Sequence, residues 1–384
     1  MKIWKIIKYY LVRYRRYIYY LLNRLGLRKA AKENLLVLKQ NKSLIKDFKQ
    51  SIKQMAAFIH SPISDFINSY KNKTVKPIKI ADFTAHNEPI LICAVKNDLI
   101  KVKKQIEHHR KIGIKHFTYI DNMSDDGTFE WLMTQDDVSL FLVDETFNAT
   151  IKNAWRRQIT DFFGYDRWYL ILDSDEFFYY PGIESKPISE YIDFLEKEKI
   201  KCAHTPMIDM YSDERLFDGT SDSFLDEYCY FDPDSYSLKQ KFWGFSIMGG
   251  PRSRLFGEII NDKAQLLTKY SLIKAEIPYL VNTHINFPFK LNFSNKRAIA
   301  FLLHYKFLPT DIARYHEIIK DGTYFQGSKY YKLFMEAYNQ DQTLSFYYEK
   351  SVKLSTSMDL LQLNIVDRKF FNKFLQGIEV NHFE

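Results

Sequence analysis

The chain has 384 residues, of which 46% are hydrophobic and 16% aromatic, and it carries a formal net charge of +8. This length suffices for two or three average domains, and the hydrophobic content excludes a largely disordered chain. The three cysteines, Cys93, Cys202 and Cys229, are few, widely spaced and odd in number. They exclude a disulfide framework and a zinc knuckle, and they fit a reducing cytosol.

The positive charge is concentrated at the N-terminus. Residues 1–80 contain 19 Lys and Arg against 3 Asp and Glu, whereas the remaining residues contain 36 basic and 44 acidic side chains. This asymmetry predicts an anionic partner for the N-terminal part, either anionic lipid or nucleic acid. The acidic balance of the remainder argues against nucleic-acid binding there, and we expect no nucleic-acid partner.

The first 30 residues predict an amphipathic helix on a membrane surface. They lack an apolar stretch long enough to span a bilayer and a small-residue cleavage site. At ~100° per residue, apolar and aromatic side chains share one face of the helix and basic side chains spread over the other. The apolar face contains Ile3, Trp4, Ile7, Leu11, Tyr14, Ile18, Leu21, Leu22 and Leu25. This pattern is typical of a helix in the interface of an anionic membrane, and docking on the protein's own domain is the alternative.

The predicted organisation therefore has three parts. Residues 1–80 form a basic, amphipathic, helical membrane-association segment whose end, KNKTVKPIK, is expected to be a linker. Residues 81–310 form the main domain, and residues 311–384 form a helical C-terminal region. The expected location is cytoplasmic, at the inner face of the cytoplasmic membrane.

From Pro89 onward, short β-branched runs alternate with helical periods, the pattern of βαβ units and a mostly parallel sheet. The predicted strands are 89–98, 115–122, 138–144 and 167–173, and the predicted helices are 99–113, 125–133 and 151–164. Each predicted strand ends in a polar or acidic cluster. Since ligands bind beyond the carboxyl ends of the strands in open α/β sheets, these clusters are expected to converge on one site.

The stretch WYLILDSDEFFYYP, residues 168–181, places Asp173, Asp175 and Glu176 at the end of a buried strand. Unpaired buried carboxylates are costly, so a cation is expected beside them. Asp173 and Asp175 are spaced to hold Mn²⁺ or Mg²⁺, whose remaining ligands are water and phosphate oxygens. The pattern predicts a metal–diphosphate site, and the alternative is a pair of carboxylates that cap a turn and face solvent.

The strands and helices from 89 to 173, together with several short motifs that follow them, resemble bacterial family-2-like glycosyltransferases with the GT-A fold and a DxD motif. The resemblance covers about residues 88–335. It rests on AVKNDLIKVKKQIEHHRKIGIKHFTYIDNMSDDGT, NAWRRQITDFFGYDRWYLILDSDEFFYYP, PMIDMYSDE, GGPRSRLF, NTHINFP and LLHYKFL, in that order. It implies an α/β fold with a Rossmann-like, mostly parallel sheet flanked by helices.

The resemblance also implies an activity. A divalent metal, Mn²⁺ or Mg²⁺, would assist transfer of a sugar from a nucleotide-diphosphate sugar, with a UDP-sugar favoured. The acceptor would be a glycan or a lipid-linked saccharide in surface polysaccharide synthesis, capsule or lipopolysaccharide, and inversion is expected. The alternatives are a sugar-phosphate nucleotidyltransferase and a non-catalytic membrane-surface protein. AVKNDLIKVKK lacks the glycines of the first, and the presence of both Asp173 and Asp175 argues against the second.

Several site residues follow from the matching motifs. The nucleotide would be bound by the ends of the first two strands, through Ala94, Lys96, Asn97, Asp121 and Asn122. Asp173 and Asp175 would hold the metal together with either His284 or His304. We favour His304 because Tyr305 and Lys306 follow it, and Lys306 suits phosphate oxygens.

The remaining predicted residues serve charge stabilisation and proton transfer. Arg252 and Arg254, with Arg156 and Arg157, are candidates for stabilising the leaving diphosphate. Gly249 and Gly250 would let the backbone approach the donor. The alternative for the arginines is a solvated or structural role. A displacement also needs a carboxylate to accept the acceptor's proton. Asp209 is the first candidate, followed by Asp213 and Glu214, and an acceptor-binding or structural role for Asp209 is the alternative.

Overall fold

A computed structural model of the protein describes residues 72–82, 88–148, 151–241, 244–260, 265–275, 283–286 and 289–376. The predicted membrane helix, residues 1–30, and most of the rest of the predicted membrane-association segment lie outside the described residues. Within the described ranges, no helix is both long and apolar enough to cross a membrane.

The elements follow one another along the chain. The strands are β1 (Lys76–Lys79), β2 (Ile90–Val95), β3 (His116–Asp121), β4 (Val138–Leu142), β5 (Arg167–Leu172), β6 (Glu176–Tyr179), β7 (Met207–Met210), β8 (Tyr230–Phe231), β9 (Tyr236–Lys241), β10 (Gly244–Gly249), β11 (Leu272–Ala275), β12 (Phe301–Tyr305) and β13 (Val352–Lys353). The α-helices are α1 (Leu99–Lys111), α2 (Thr128–Met133), α3 (Ile151–Phe163), α4 (Ile188–Lys197), α5 (Phe224–Glu227), α6 (Pro251–Ile260), α7 (Asp311–Asp321), α8 (Phe325–Gln340) and α9 (Arg368–Phe374). Two 3₁₀ helices cover Phe289–Phe293 and Ser357–Gln362.

A six-stranded sheet in the order β1-β4-β3-β2-β5-β11 forms the centre of the fold. Its four inner strands, β2 to β5, run parallel, and the edge strands β1 and β11 are antiparallel to their neighbours. Every residue of β3 and β5 is buried, as expected for strands covered on both faces. The predicted α/β architecture with a mostly parallel sheet is confirmed, and each predicted strand and helix from 89 to 173 has its counterpart.

The segment that we expected to be a linker contains β1. Lys76 pairs with Leu142 and Pro77 with Phe141 of β4. Pro77 lacks the N–H that an inner strand would need, so an edge position suits this segment. Val75, just before β1, is buried and fixes the segment to the core.

A second sheet of three strands, in the order β6-β12-β7, begins immediately after the DSD turn. Strand β12 is antiparallel to β6 and parallel to β7. His304 pairs with Glu176 on one side and with Asp209 on the other. Asp209 therefore lies on a strand of this second sheet, beside His304.

Helix α7 packs onto α1, the helix that follows strand β2 of the six-stranded sheet. Lys101 of α1 and Asp311 of α7 form an ion pair at 2.7 Å, with side chains that are each 4% exposed. Nη1 of Arg314, one turn further along α7, lies 2.7 Å from Oδ2 of Asp98 at the end of the β2 loop. The helical pair α7–α8 is thereby held at the edge of the sheet where the parallel strands end.

Candidate active site

A row of four charged side chains forms where β5, β12 and β7 end. Nε2 of His304 lies 3.4 Å from Oδ2 of Asp175, in the turn after β5. Nδ1 of the same ring lies 2.6 Å from Oδ1 of Asp209. Nε of Arg252, at the start of α6, donates to Oδ2 of Asp209 at 2.8 Å. Asp209 and His304 are almost fully buried, so the order Asp175, His304, Asp209, Arg252 is fixed by packing.

Burial and charge act in opposite directions on these groups. Burial would raise the pKa of Asp175, but His304 and Lys306 hold it well below its usual value. Burial would also raise the pKa of Asp209, but Arg252 and His304 together lower it. Burial would lower the pKa of His304, but the two carboxylates raise it above 6.5. The two carboxylates therefore favour a positive charge on His304, which lies between them.

The chemistry of Asp175 and His304 fits a divalent cation. Because Asp209 engages Nδ1, a neutral His304 presents the lone pair of Nε2 toward Asp175, the arrangement by which carboxylates orient metal-binding histidines. Among the described residues, no group of three or more His, Cys, Asp and Glu side chains is placed to hold a metal. Mg²⁺ and Mn²⁺ do not require one, since water and substrate phosphates complete their shells. We call these two residues the Asp175–His304 pair.

Asp173 has different surroundings from Asp175. Lys152 and Arg156 contact its Oδ1 at 2.7 and 2.6 Å, and Lys269 contacts its Oδ2 at 3.1 Å. Burial would raise the pKa of Asp173, but these three cations lower it well below its usual value. Both of its oxygens are engaged, so the two aspartates of the DxD motif lie in two distinct electrostatic environments.

The predicted nucleotide-binding residues lie on adjoining strand ends. Oδ1 of Asp121 accepts from the backbone N–H of Ser124, whereas its Oδ2 is buried and has no hydrogen-bond partner among the described residues. Burial raises the pKa of Asp121. Asn122 donates to the carbonyls of Val143 and Glu145 and so ties the β3 end to the loop after β4.

The loop after β2 joins the same edge. Nδ2 of Asn97, a residue with φ of 51°, donates to Asp125 at 2.6 Å, and its backbone N–H donates to Ser124. Ala94 is half-buried and Lys96 is exposed beside this loop. The structure thus brings the ends of β2, β3 and β4 together, as the strand-end argument predicted.

The four candidate arginines occupy different places, and Arg157 pairs with Asp161 of its own helix at 2.9 Å. Arg252 contacts Asp209, and Arg156 is buried between Asp173 and the Leu172 carbonyl. Gly250, with φ of 82°, allows the turn into α6, and a Cβ there would lie 3.7 Å from Oδ2 of Asp209.

Arg254 has structural contacts instead. It pairs with Asp232 at 2.9 Å, donates to the Phe346 carbonyl and stacks on Tyr348 at 4.0 Å. These contacts fasten the segment near residue 346 to the start of α6 and do not include the Asp175–His304 pair.

The two predicted histidines also differ. Nδ1 of His284 is 2.7 Å from the Thr268 carbonyl, and burial lowers the pKa of His284 to about 3. His304 is the histidine that meets Asp175. Lys306 lies 3.8 Å from Oδ2 of Asp175 and donates to the Tyr331 hydroxyl at 3.1 Å, so it stays within reach of the pair.

Sequence reasoning missed Lys152 and Lys269. The spacing of Lys152 and Arg156 on one predicted helix could have placed both on the face that meets Asp173. No comparable signal exists for Lys269, which lies 96 residues from Asp173 along the chain. Arg314 was also missed, since no motif contains it.

An open, acidic recess of about 400 Å³ lies beyond the second sheet. It is lined by Ser212, Asp213, Glu214, Asp218, Gly219 and Glu227. Ser212 and Glu214 also line a smaller recess that includes Lys306. The two recesses thus share two lining residues, and the exposed carboxylates of Asp213 and Glu214 lie in the larger one.

No protein-family model matches the sequence, and no curated protein matches it. Among solved structures, the chain is similar to the mannosyltransferase PcManGT from Pyrobaculum calidifontis in complex with GDP-Man and Mn²⁺, with 17% identity, 44% of this chain covered and a TM-score of 0.23. The chain spans about half of that protein, 47% of its length. It is also similar to HddC from Yersinia pseudotuberculosis, with 12% identity, 59% of this chain and 97% of that chain covered, and a TM-score of 0.26.

Proposed function

We propose that the protein is a metal-dependent glycosyltransferase of the GT-A type that uses a nucleotide-diphosphate sugar. The observation that carries this proposal is the Asp175–His304 pair, with Asp209 behind the histidine, at the carboxyl ends of strands in an α/β sheet. Ligands bind at this edge of such sheets. A two-ligand metal site there requires a partner that brings its own oxygens, and a diphosphate provides them.

In this proposal each charged group has a separate task. Asp175 and His304 hold the metal, Asp209 orients His304, and Arg252 keeps Asp209 ionised. The bound metal, Mn²⁺ or Mg²⁺, would supply charge stabilisation for the diphosphate as it leaves. Lys306, within reach of Asp175, adds a positive charge on the same side.

The donor's nucleoside is proposed to lie over the ends of β2 and β3. The buried, unpartnered Oδ2 of Asp121 supports this placement, because a buried acceptor atom without a partner is costly unless a ligand donates to it. A base N–H is such a donor. Asn97 and Asn122 hold the surrounding loops in place, and a UDP-sugar remains the favoured donor.

The acceptor is proposed to enter through the acidic recess. Asp209 has both carboxylate oxygens engaged and is 4% exposed, which argues against its accepting a proton from an incoming hydroxyl. Asp213 and Glu214 are exposed in the recess and take over this role in the proposal. We propose a glycan or lipid-linked acceptor of surface polysaccharide synthesis, with residues 1–30 holding the enzyme on the cytoplasmic face of the membrane and inversion of configuration.

Calorimetric titration of UDP and GDP, each with and without Mn²⁺, tests the metal and the nucleotide together. We expect one nucleotide to bind tightly only with Mn²⁺, and Asp175→Asn to abolish that dependence. Asp136→Asn, an exposed residue on the loop before β4, is the matched control. Equal nucleotide affinity with and without the metal, or unchanged binding in Asp175→Asn, would overturn the proposal.

A further inference from the structure

Asp173 is surrounded by more positive charge than it can neutralise. Lys152, Arg156 and Lys269 all contact its carboxylate within 3.1 Å. Lys269 also contacts Oε1 of Glu176 at 2.8 Å. Three cations thus face two carboxylates, while burial keeps His284, near Lys269, neutral by lowering its pKa to about 3. One positive charge is left over at a mostly buried position.

The three cations differ in access to solvent. The side chains of Arg156 and Lys269 are 2% and 3% exposed and lie behind the carboxylates. The side chain of Lys152 is 18% exposed, beside Asp173 at 26%. Arg156 and Lys269 suffice to balance Asp173 and Glu176, so Lys152 is the surplus cation and the one that a ligand can reach.

The position of Lys152 on its helix adds to this surplus. It lies in the first turn of α3, whose N-terminal backbone N–H of Ile151 is capped by Asn148. The positive end of a helix dipole disfavours a cation there. Burial also lowers the pKa of Lys152, so burial and the helix dipole both oppose its positive charge. An anion bound beside it would relieve both.

Building on the proposed function, we infer that Lys152 binds a phosphate group of the donor and that Asp173, with Arg156 and Lys269 behind it, positions this lysine rather than binding the metal. The ligand class is a phosphate or diphosphate. A divalent cation is disfavoured at Asp173, because three positive side chains already lie against its carboxylate. The two aspartates of the DxD motif would then have different roles in binding a metal–diphosphate complex. Asp175 would bind the metal cation, and Asp173 would position the lysine that binds the diphosphate anion.

The test measures inorganic diphosphate and metal separately in the full-length protein. Diphosphate is titrated with and without Mg²⁺, and Mn²⁺ alone is titrated in a second experiment. The variants are Lys152→Met, which removes the charge, and Lys152→Arg, which restores it. The control is Lys115→Met. Lys115 is exposed and precedes β3, at the amino ends of the parallel strands and so at the opposite end from the site.

We expect Lys152→Met to weaken diphosphate binding roughly 10- to 100-fold, the loss of a hydrogen bond to a charged group. Its affinity for Mn²⁺ should be unchanged or higher, and its melting temperature should not fall. Lys152→Arg should recover most of the diphosphate affinity, and Lys115→Met should behave as wild type.

Other outcomes would overturn the inference. Unchanged or tighter diphosphate binding in Lys152→Met would remove Lys152 from the anion site, as would a wild-type protein that binds no diphosphate with or without Mg²⁺. A large loss of Mn²⁺ affinity in Asp173→Asn would place Asp173 in the metal site. Diphosphate binding that depends on Lys152 but not on Mg²⁺ would support the anion site while contradicting the metal-dependent function.

Discussion

A single histidine ring separates two carboxylates that sequence reasoning had given unrelated tasks. Asp175 was expected to hold metal and Asp209 to accept a proton, but both contact His304, on opposite nitrogens. The register between β12 and β7 explains this, because His304 is paired with Asp209 across the two strands. The role of Asp209 as a base stays a prediction, and its contacts favour the orientation of His304.

The substitution Asp209→Asn separates these two roles. If Asp209 orients His304, Mn²⁺ affinity should fall roughly 10- to 100-fold, as for other groups that support a metal ligand, and excess Mn²⁺ should restore turnover. If Asp209 is the base, turnover should fall ~10²–10⁴-fold even at saturating Mn²⁺. Turnover measured over a Mn²⁺ concentration series decides between them, with Glu214→Gln assayed in parallel as the alternative base.

The raised pKa of His304 predicts a pH dependence of stability in the metal-free protein. Because the folded state holds this proton more tightly than the unfolded state, its stabilisation is complete below pH 6.5 and is lost as the pH rises through the folded-state pKa. Urea unfolding in EDTA, from about pH 6 to about pH 9, should therefore show a decline in wild type that is smaller in His304→Gln.

The matched control for that experiment is His316→Gln, an exposed histidine on α7. This variant should keep the wild-type decline. Equal slopes for wild type and His304→Gln would mean that His304 does not bind its proton more tightly in the folded state.

At the scale of elements, local pattern predicted the parallel part of the fold. The runs that form β2, β3, β4 and β5 are apolar and bounded by polar clusters. Two of the helices between them end at a glycine with positive φ, Gly113 after α1 at 98° and Gly164 after α3 at 89°. Strand β1 escaped prediction because its sequence, KPIK, is mostly exposed and its strand conformation depends on pairing with the distant β4. Strand β11 likewise depends on a distant partner, β5.

The helical pair α7–α8 illustrates a limit of motif reasoning about the site. Nothing in the sequence connects Asp311 with Lys101, which are 210 residues apart, yet their ion pair is almost fully buried. Through it, Arg314 is placed beside Asp98 at the strand ends. Such long-range pairings are decided by the packing of whole elements and cannot be read from local spacing.

The substitution Asp311→Asn tests how strongly this pairing holds the helices. Both described hydrogen bonds of the Lys101 ammonium go to Asp311, so the variant leaves a buried cation without its counter-ion. Breaking a buried pair in this way costs about 3–5 kcal/mol of unfolding free energy. Urea denaturation followed by circular dichroism measures the change.

An exposed ion pair in the same helix provides the comparison. Glu107 and Lys111 of α1 lie 2.8 Å apart with side chains 53% and 72% exposed. Glu107→Gln should cost less than about 1 kcal/mol. Equal costs for the two variants would show that the Lys101–Asp311 pair does not fasten α7 to the sheet domain.

At the scale of the whole molecule, the net charge does not show where the charged side chains are concentrated. The chain after residue 80 is acidic in balance, yet its site gathers buried or half-buried cations at the strand ends. These are Lys101, Lys152, Arg156, Arg252, Lys269, Lys306 and Arg314. Composition predicted the anionic partner of the N-terminal segment, but the anion-binding character of the site required the three-dimensional arrangement.

The basic N-terminal segment leads to a prediction about the membrane. Each Lys or Arg near an anionic surface contributes about 1 kcal/mol, so neutralising Arg13, Arg15 and Arg16 together should weaken binding to phosphatidylserine-containing liposomes by roughly a hundredfold. Deleting residues 1–30 should abolish flotation with these liposomes and leave the melting temperature of the remainder nearly unchanged. Liposomes of phosphatidylcholine alone are the control, and high salt should reduce binding to the anionic ones. Flotation that persists after the deletion, together with a large loss of thermal stability, would instead show that this segment docks on its own protein.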